Sequence, residues 1–192
     1  MNQEFYDAVE ANPVIAAVKN DSGLQTATAM EEIQVIFVLY GDICTIPEIV
    51  EKIKDSGKKA LVHIDLIAGL SAKEVSVEFI KRQTNADGII TTKPALVRRA
   101  KELGLFTVLR FFVIDSLALK NIENLESQHG MSRPDVIEVL PGVMPKVLQK
   151  IAKVSRIPMI AGGLVTDRED VIQALSAGAM AVSATNQEVW TL

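Results

Sequence analysis

The stretch Ile157-Pro158-Met159-Ile160-Ala161-Gly162-Gly163-Leu164-Val165 has the pattern of a short buried strand that ends in two glycines. A second stretch, Gly178-Ala179-Met180-Ala181-Val182-Ser183-Ala184-Thr185, also has the form of a strand that ends in small residues. In a barrel of eight parallel strands, each followed by a helix, the loops after the last two strands commonly form a phosphate site. The two stretches therefore predict such a barrel with a small phosphorylated ligand. The alternative is that the glycines only make a tight turn.

The rest of the chain alternates between apolar runs and amphipathic runs, which is the pattern of a parallel α/β fold. We predict strands at Val14–Lys19, Val35–Tyr40, Ala60–Leu66, Gly88–Thr92, Thr107–Val113, Val136–Leu140, Pro158–Ala161 and Ala181–Thr185. Helices are predicted at Thr45–Ser56, Ser71–Gln83, Pro94–Leu103, Asp115–Gln128, Met144–Val154 and Asp167–Ala177. Eight strand–helix units favour one compact (β/α)8 TIM-type barrel with short loops over residues 1–192. Residues 1–12 are expected to form a short helix that closes its bottom.

The bulk composition limits the function classes. The chain has 192 residues, 48% of them hydrophobic, and a net charge of −4, so it is not basic overall, although a local basic stripe remains possible. The single cysteine, Cys44, fits a reducing compartment, and the longest apolar run, Val35–Tyr40, is too short to span a bilayer. We therefore expect a cytoplasmic protein with no membrane association. The first strand lacks the G-x-G-x-x-G pattern of dinucleotide-binding folds, which weakens that alternative.

Strand alternation predicts which polar side chains face the barrel interior. It selects as candidate ligand contacts Lys19, His63, Asp65, Thr91, Lys93, Arg110 and Glu138. Small residues at the later strand ends add candidate donors for a phosphate, namely Gly142, Gly162, Gly163, Ser183 and Thr185. Other interpretations stay open: Arg110 and Glu138 lie on adjacent strands and could be a structural ion pair, and His63 could be a hydrogen-bonded core histidine. No metal cluster and no catalytic residue is predicted.

Several segments together resemble the glycerol uptake operon antiterminator proteins, in order and over essentially the whole chain. They are His63 with Asp65-Leu66-Ile67-Ala68-Gly69-Leu70, then Asp87-Gly88-Ile89-Ile90-Thr91-Thr92-Lys93, Glu138-Val139-Leu140-Pro141-Gly142, Ala161-Gly162-Gly163-Leu164, and Ala181-Val182-Ser183-Ala184-Thr185-Asn186-Gln187-Glu188-Val189-Trp190. The resemblance implies a bacterial regulator that responds to sn-glycerol 3-phosphate. It further implies binding to the leader mRNA of glycerol-utilisation operons, prevention of transcription termination, and no cofactor.

The residues can be assigned roles on that basis. Backbone donors of the last strands, with Lys19 or Lys93 nearby, would hold the phosphate, and Asp65 and Glu138 would bind the hydroxyls. Arg110 would either support Glu138 or touch the ligand. Two basic clusters are candidate RNA contacts, although lysines on barrel helices are usually only solvated: Arg98, Arg99 and Lys101, and the helical stripe of Lys146, Lys150 and Lys153.

Two other functions compete with the regulator. Barrels that bind phosphate are often enzymes, and His63 with Asp65 or Glu138 could act as an acid–base pair of an isomerase or lyase on a small phosphorylated metabolite. Against an enzyme, short loops leave little material for a lid that excludes water. A binding or assembly protein without a nucleic acid partner is the third option. A homo-oligomer is also possible, although the sequence does not identify an interface.

Overall fold

The computed structural model describes residues 2–125, 127 and 130–191. Its strands form one closed parallel barrel in which each strand pairs with its neighbours in chain order and β8 closes on β1. The strands are β1 Val14–Val18, β2 Val35–Val38, β3 Lys59–His63, β4 Gly88–Thr91, β5 Phe106–Phe112, β6 Val136–Leu140, β7 Met159–Gly162 and β8 Ala181–Ala184. The alternating strands and helices confirm the predicted (β/α)8 TIM-type barrel.

Helices cover the outside of the barrel and one precedes it. Within the described residues they are α1 Asn2–Ala11, α2 Asp21–Ala29, α3 Ile46–Asp55, α4 Glu74–Gln83, α5 Pro94–Glu102, α6 Ser116–Leu125, α7 Pro145–Val154 and α8 Arg168–Ser176. Most predicted helices are observed with slightly shorter bounds. The predicted end of one of them, Gln128, lies outside the described residues.

The sequence prediction missed α2, which connects β1 and β2. Its buried face consists of Gly23, Leu24 and Ala27, so one large apolar residue alone marks the helical period. The local signal for the helix is its N-cap, because the Asn20 side chain accepts a hydrogen bond of 2.8 Å from the Gly23 N–H.

The barrel has two apolar layers, one inside the strands and one between strands and helices. The inner layer reaches the bottom of the barrel, where α1 contributes Phe5 and Val9. The Phe5 ring stacks on Phe106 of β5 with a centroid distance of 4.2 Å. The bottom is therefore filled with apolar side chains, and the polar residues of the interior lie at the carboxyl ends of the strands.

A short 3₁₀ segment, Gln187–Thr191, follows β8 in place of a further long helix. Its Trp190 is buried and donates an Nε1–H hydrogen bond of 2.8 Å to the Ala184 carbonyl at the end of β8. In the part of the chain that the structure describes, no helix is long and apolar enough to cross a membrane.

Candidate ligand site at the barrel mouth

The centre of the mouth is a buried network around Glu138 of β6. Glu138 Oε2 accepts a hydrogen bond of 2.6 Å from Arg110 Nε, and Oε1 accepts one of 2.6 Å from the Ser183 hydroxyl. The register of β5 and β6 sets Arg110 directly opposite Glu138. Because a buried ion pair is stable only when its remaining polar atoms are also hydrogen-bonded, the Ser183 hydroxyl of β8, two strands away, completes the pair.

This network explains why position 162, in the stretch Ile157–Val165, is a glycine. A Cβ at Gly162 would lie 2.5 Å from the Ser183 Oγ and 2.7 Å from Glu138 Oε1. A Cβ at Gly142 would lie 3.0 Å from the Gly162 nitrogen, and the Gly142 N–H donates to the Gly163 carbonyl at 3.0 Å. Both glycines are therefore required by packing within the protein, whether or not they also face a phosphate.

The turn after β7 has an unusual backbone. Gly163 and Leu164 both have positive φ, +76° and +62°, and the Leu164 side chain is 71% exposed. A leucine in this conformation is strained because its Cβ approaches the backbone carbonyl. Such strained turns concentrate at ligand-binding loops.

A cavity of about 90 Å³ lies between this turn and the network. Its polar wall contains Arg110, Glu138, Ser183 and Thr185, and its apolar wall contains Ala17, Leu39 and Leu140. Arg110 uses its Nε to bind Glu138, and within the described residues its two Nη groups have no protein partner. The cavity therefore presents a buried guanidinium beside backbone at a strand end, an arrangement suited to a small anion.

The two predicted phosphate lysines lie elsewhere. Lys19 follows the end of β1 and is exposed, and Lys93 is exposed at the start of α5. Neither residue lines the cavity. The cation that the fold brings to the cavity is instead Arg110.

Asp65 is held by hydrogen bonds within the protein. It lies on a 3₁₀ turn that follows β3, where the prediction had extended the strand. Its carboxylate accepts from the Thr91 hydroxyl at 2.8 Å, the Thr92 N–H at 2.7 Å and the Thr92 hydroxyl at 2.8 Å. Burial raises the pKa of Asp65, but the hydrogen bonds from Thr92 and Thr91 outweigh it and leave the pKa below its usual value. Asp65 therefore joins the ends of β3 and β4.

The prediction that Thr91 faces the barrel interior was wrong. Ile90 belongs to the inner apolar layer and Ile89 to the outer one, so the alternation directs Thr91 outward. Thr91 is fully buried and contacts Asp65. The prediction failed because the alternation of side chains along β4 does not by itself show which of its residues face the interior.

His63 ends β3 and lies in the interior, two residues after the inward Leu61. It is 3% exposed, and its Nδ1 has no hydrogen-bond partner among the residues that the structure describes. Burial, together with the positive charge of Arg110, lowers the pKa of His63 to about 4. The imidazole is therefore neutral at physiological pH.

The two basic clusters differ in their partners. Arg98 and Arg99 both form ion pairs with Glu102, Arg99 also pairs with Glu78, and Lys101 pairs with Asp135 at 3.1 Å. The stripe on α7 consists of Lys146, Lys150 and Lys153, whose side chains are exposed. Within the described residues, no carboxylate lies at ion-pair distance from them. The α7 stripe is therefore the cluster whose charge is available to a polyanion.

Sequence reasoning missed the apolar wall of the cavity. Leu140 lies two residues after Glu138, so the alternation that selected Glu138 also selects Leu140. Leu164 carries no such signal, because its position depends on the positive φ of the turn. Among the described residues, no group of three His, Cys, Asp or Glu side chains is placed to hold a metal ion.

The chain is similar in sequence to a described protein family and to a curated protein. Residues 14–190 match the family model described as glycerol-3-phosphate responsive antiterminator. The chain is 51% identical over 181 residues to the uncharacterized protein YgcP of Escherichia coli (strain K12), covering 94% of this chain and 93% of that protein.

Two solved structures of proteins named as antiterminators or antiterminator-related share the fold and 30% and 34% of the sequence. The glycerol uptake operon antiterminator regulatory protein of Listeria monocytogenes is 30% identical with a TM-score of 0.87, covering 94% of this chain and 95% of that one. An antiterminator-related protein of Thermotoga maritima is 34% identical with a TM-score of 0.79, covering 93% and 98%.

An N-acetylmannosamine-6-phosphate 2-epimerase of Clostridium perfringens, 16% identical with a TM-score of 0.73, covers 96% of this chain and 90% of that one and shares the fold alone. The match over residues 14–190 and the sequence identity to the two solved structures assign the protein's family. This chain belongs to the glycerol-3-phosphate responsive antiterminator family.

Proposed function

We propose that the protein is a cytoplasmic transcription antiterminator that binds sn-glycerol 3-phosphate at the barrel mouth and, in response, binds the leader mRNA of glycerol-utilisation operons. The family match over residues 14–190 carries this proposal. The mouth supports the ligand, because a buried Arg110 faces a small cavity beside the Gly163–Leu164 turn. A phosphate monoester accepts hydrogen bonds from the Nη groups that Arg110 does not use on Glu138.

The ligand's phosphate would contact Arg110, the Thr185 hydroxyl and backbone N–H groups of the turn after β7. This assignment moves the cationic contact from Lys19 and Lys93 to Arg110, since Arg110 lines the cavity and the lysines do not. The apolar wall of Leu39 and Leu140 would then face the carbon skeleton. The ligand must be small, because the cavity has a volume of about 90 Å³.

The RNA would contact the stripe of Lys146, Lys150 and Lys153. Lysines without internal partners release counterions when they contact phosphates, so they make binding strongly salt-dependent. The stripe is also close to the ligand site along the chain, because only a short loop separates the end of β6 at Leu140 from the start of α7 at Pro145. In this loop, the Gly142 N–H donates a hydrogen bond to the Gly163 carbonyl in the turn after β7. This hydrogen-bonded loop therefore connects a ligand bound at the turn to α7.

A regulator fits this site better than the alternative, an isomerase or lyase on a small phosphorylated metabolite. Both candidate carboxylates are occupied: Asp65 accepts three hydrogen bonds, and Glu138 accepts from Arg110 and Ser183. The hydrogen bonds from Thr92 and Thr91 hold the pKa of Asp65 below its usual value, so Asp65 is not poised as a general base near neutral pH.

The deciding experiment measures retention of labelled leader RNA by the protein, with and without glycerol 3-phosphate, while NMR follows the ligand. We expect ligand-dependent RNA retention and an unchanged ligand spectrum. Conversion of the ligand would favour the enzyme, and retention that ignores the ligand would contradict the regulator.

The RNA surface is tested by replacing Lys146, Lys150 and Lys153 with Gln. If the three lysines neutralise RNA phosphates, the slope of log affinity against log salt should become shallower by about 2. A matched control removes three exposed charges from α4 and the residue before it by replacing Lys73, Lys81 and Arg82 with Gln, and it should leave the slope near that of the parent. An equal effect of both variants would point to general charge rather than to the α7 stripe.

A further inference from the structure

One buried polar atom of the barrel mouth lacks a partner. His63 is 3% exposed, and its Nδ1 makes no hydrogen bond to the described part of the chain. Buried polar groups in folded proteins are nearly always hydrogen-bonded, to protein or to another molecule. An orphaned ring nitrogen inside the barrel therefore indicates a place that a small polar molecule fills.

The position of His63 connects it to the proposed ligand site. It ends β3 on the interior side and follows Val62, which pairs with Val38 of β2, so it lies beside Leu39 of the cavity wall although it does not itself line the cavity. Burial, with a smaller contribution from the charge of Arg110, lowers the pKa of His63 to about 4. Asp65 acts in the opposite direction, raising the His63 pKa, but its effect is smaller than that of burial and of Arg110. A neutral imidazole has one nitrogen that donates and one that accepts. It therefore suits a hydroxyl group, which also has both functions.

The carboxylates that the sequence assigned to hydroxyl binding are occupied. Asp65 accepts from Thr91 and Thr92, and Glu138 accepts from Arg110 and Ser183. Among the described residues, the Nη groups of Arg110 and the Nδ1 of His63 have no protein partner. An anion beside a hydroxyl satisfies both.

We propose that His63 recognises a hydroxyl of the ligand and so selects polyol phosphates over phosphate esters that have no hydroxyl. This inference rests on the proposed function, because it takes the bound molecule to be a phosphate ester held by Arg110. It assigns His63 to specificity, while the phosphate supplies most of the charge attraction.

Calorimetry with sn-glycerol 3-phosphate and propyl phosphate separates the two contributions, since propyl phosphate keeps the three-carbon chain and the phosphate but lacks both hydroxyls. The parent should prefer glycerol 3-phosphate by about tenfold, the value of one net hydrogen bond. His63→Phe should abolish that preference and leave the affinity for propyl phosphate within about twofold. His63→Asn, whose amide can occupy the place of Nδ1, should restore part of the preference.

A preference that survives in His63→Phe would overturn the proposal, and so would an equal loss of affinity for both esters. A measurement on the parent does not depend on how the variants fold: the ring-nitrogen NMR signals of His63 should shift with glycerol 3-phosphate and stay unchanged with propyl phosphate. Identical shifts with both esters would also overturn it.

The outcomes distinguish this inference from the proposed function. If the preference depends on His63 but RNA retention ignores the ligand, the regulator is wrong and the His63 assignment stands. If RNA retention follows glycerol 3-phosphate while His63→Phe keeps the preference, the His63 assignment is wrong and the regulator stands. A parent that binds neither ester overturns both.

Discussion

Replacing Glu138 with leucine would leave the Arg110 guanidinium without a partner inside the barrel. The side chains of Arg110 and Glu138 are only 8% and 1% exposed, so water cannot replace the lost carboxylate. Removal of one partner from a buried pair costs about 3–5 kcal/mol. The Ser183 hydroxyl loses its acceptor as well, at a cost of about 1 kcal/mol.

The assay is urea unfolding at pH 7, followed by circular dichroism. Glu138→Leu should lower the free energy of unfolding by about 3–5 kcal/mol, and Ser183→Ala by about 1 kcal/mol. The matched control, Arg110→Met with Glu138→Leu, removes both charges and should recover most of the loss, because an apolar pair of similar volume is often as stable as a buried ion pair.

The same double variant separates stability from function. It should fold but lose binding of glycerol 3-phosphate, because Arg110 is the cation of the cavity. A Glu138→Leu variant that loses less than about 1 kcal/mol would refute the buried-pair reasoning. A double variant as unstable as Glu138→Leu would refute it too. A stable double variant that still binds the ligand would show that Arg110 has only a structural role.

Three further results are expected. The pKa of His63 is 6.5 in the unfolded chain and about 4 in the folded protein, so the stability that the neutral imidazole contributes above pH 6.5 is lost as the pH falls towards 4. Between pH 6.5 and pH 5, the free energy of unfolding of the parent in urea should therefore fall by about 2 kcal/mol more than that of His63→Phe. Equal losses in the two proteins would contradict this. Gly162→Ala should lower stability by about 1–3 kcal/mol, because its Cβ would overlap the Ser183 Oγ; an unchanged urea midpoint would show that the network can shift. Leu164→Val should be about 1–2 kcal/mol less stable than Leu164→Gly in the same assay, since glycine tolerates a φ of +62° and a β-branched residue does not; equal stabilities would mean that the turn relaxes.

The fold could be predicted from the sequence because its signal is local and repeated. Each strand of the barrel is a short apolar run, and most are followed by a helix with an apolar face, so the predicted bounds differ from the observed ones by few residues. The exception was α2, whose buried face of Gly23, Leu24 and Ala27 has too little apolar surface to show a period.

Part of the candidate site was also readable from strand alternation. It correctly directed His63, Arg110 and Glu138 to the interior. It failed for Thr91, because parity says that neighbours point in opposite directions but does not say which of them points inward. Only the packing of Ile90 against the other interior residues settles that choice.

The sequence by itself determined the barrel, the polar character of its mouth and, through its resemblance to known antiterminators, the family. The tertiary structure decided how the polar groups are used. It shows that Asp65 and Glu138 are engaged by protein donors, that Lys19 and Lys93 do not line the cavity, and that Arg110 does. The physical reason is that hydrogen-bond partners come from different strands, such as Glu138 and Ser183, and their meeting depends on the closure of the whole barrel.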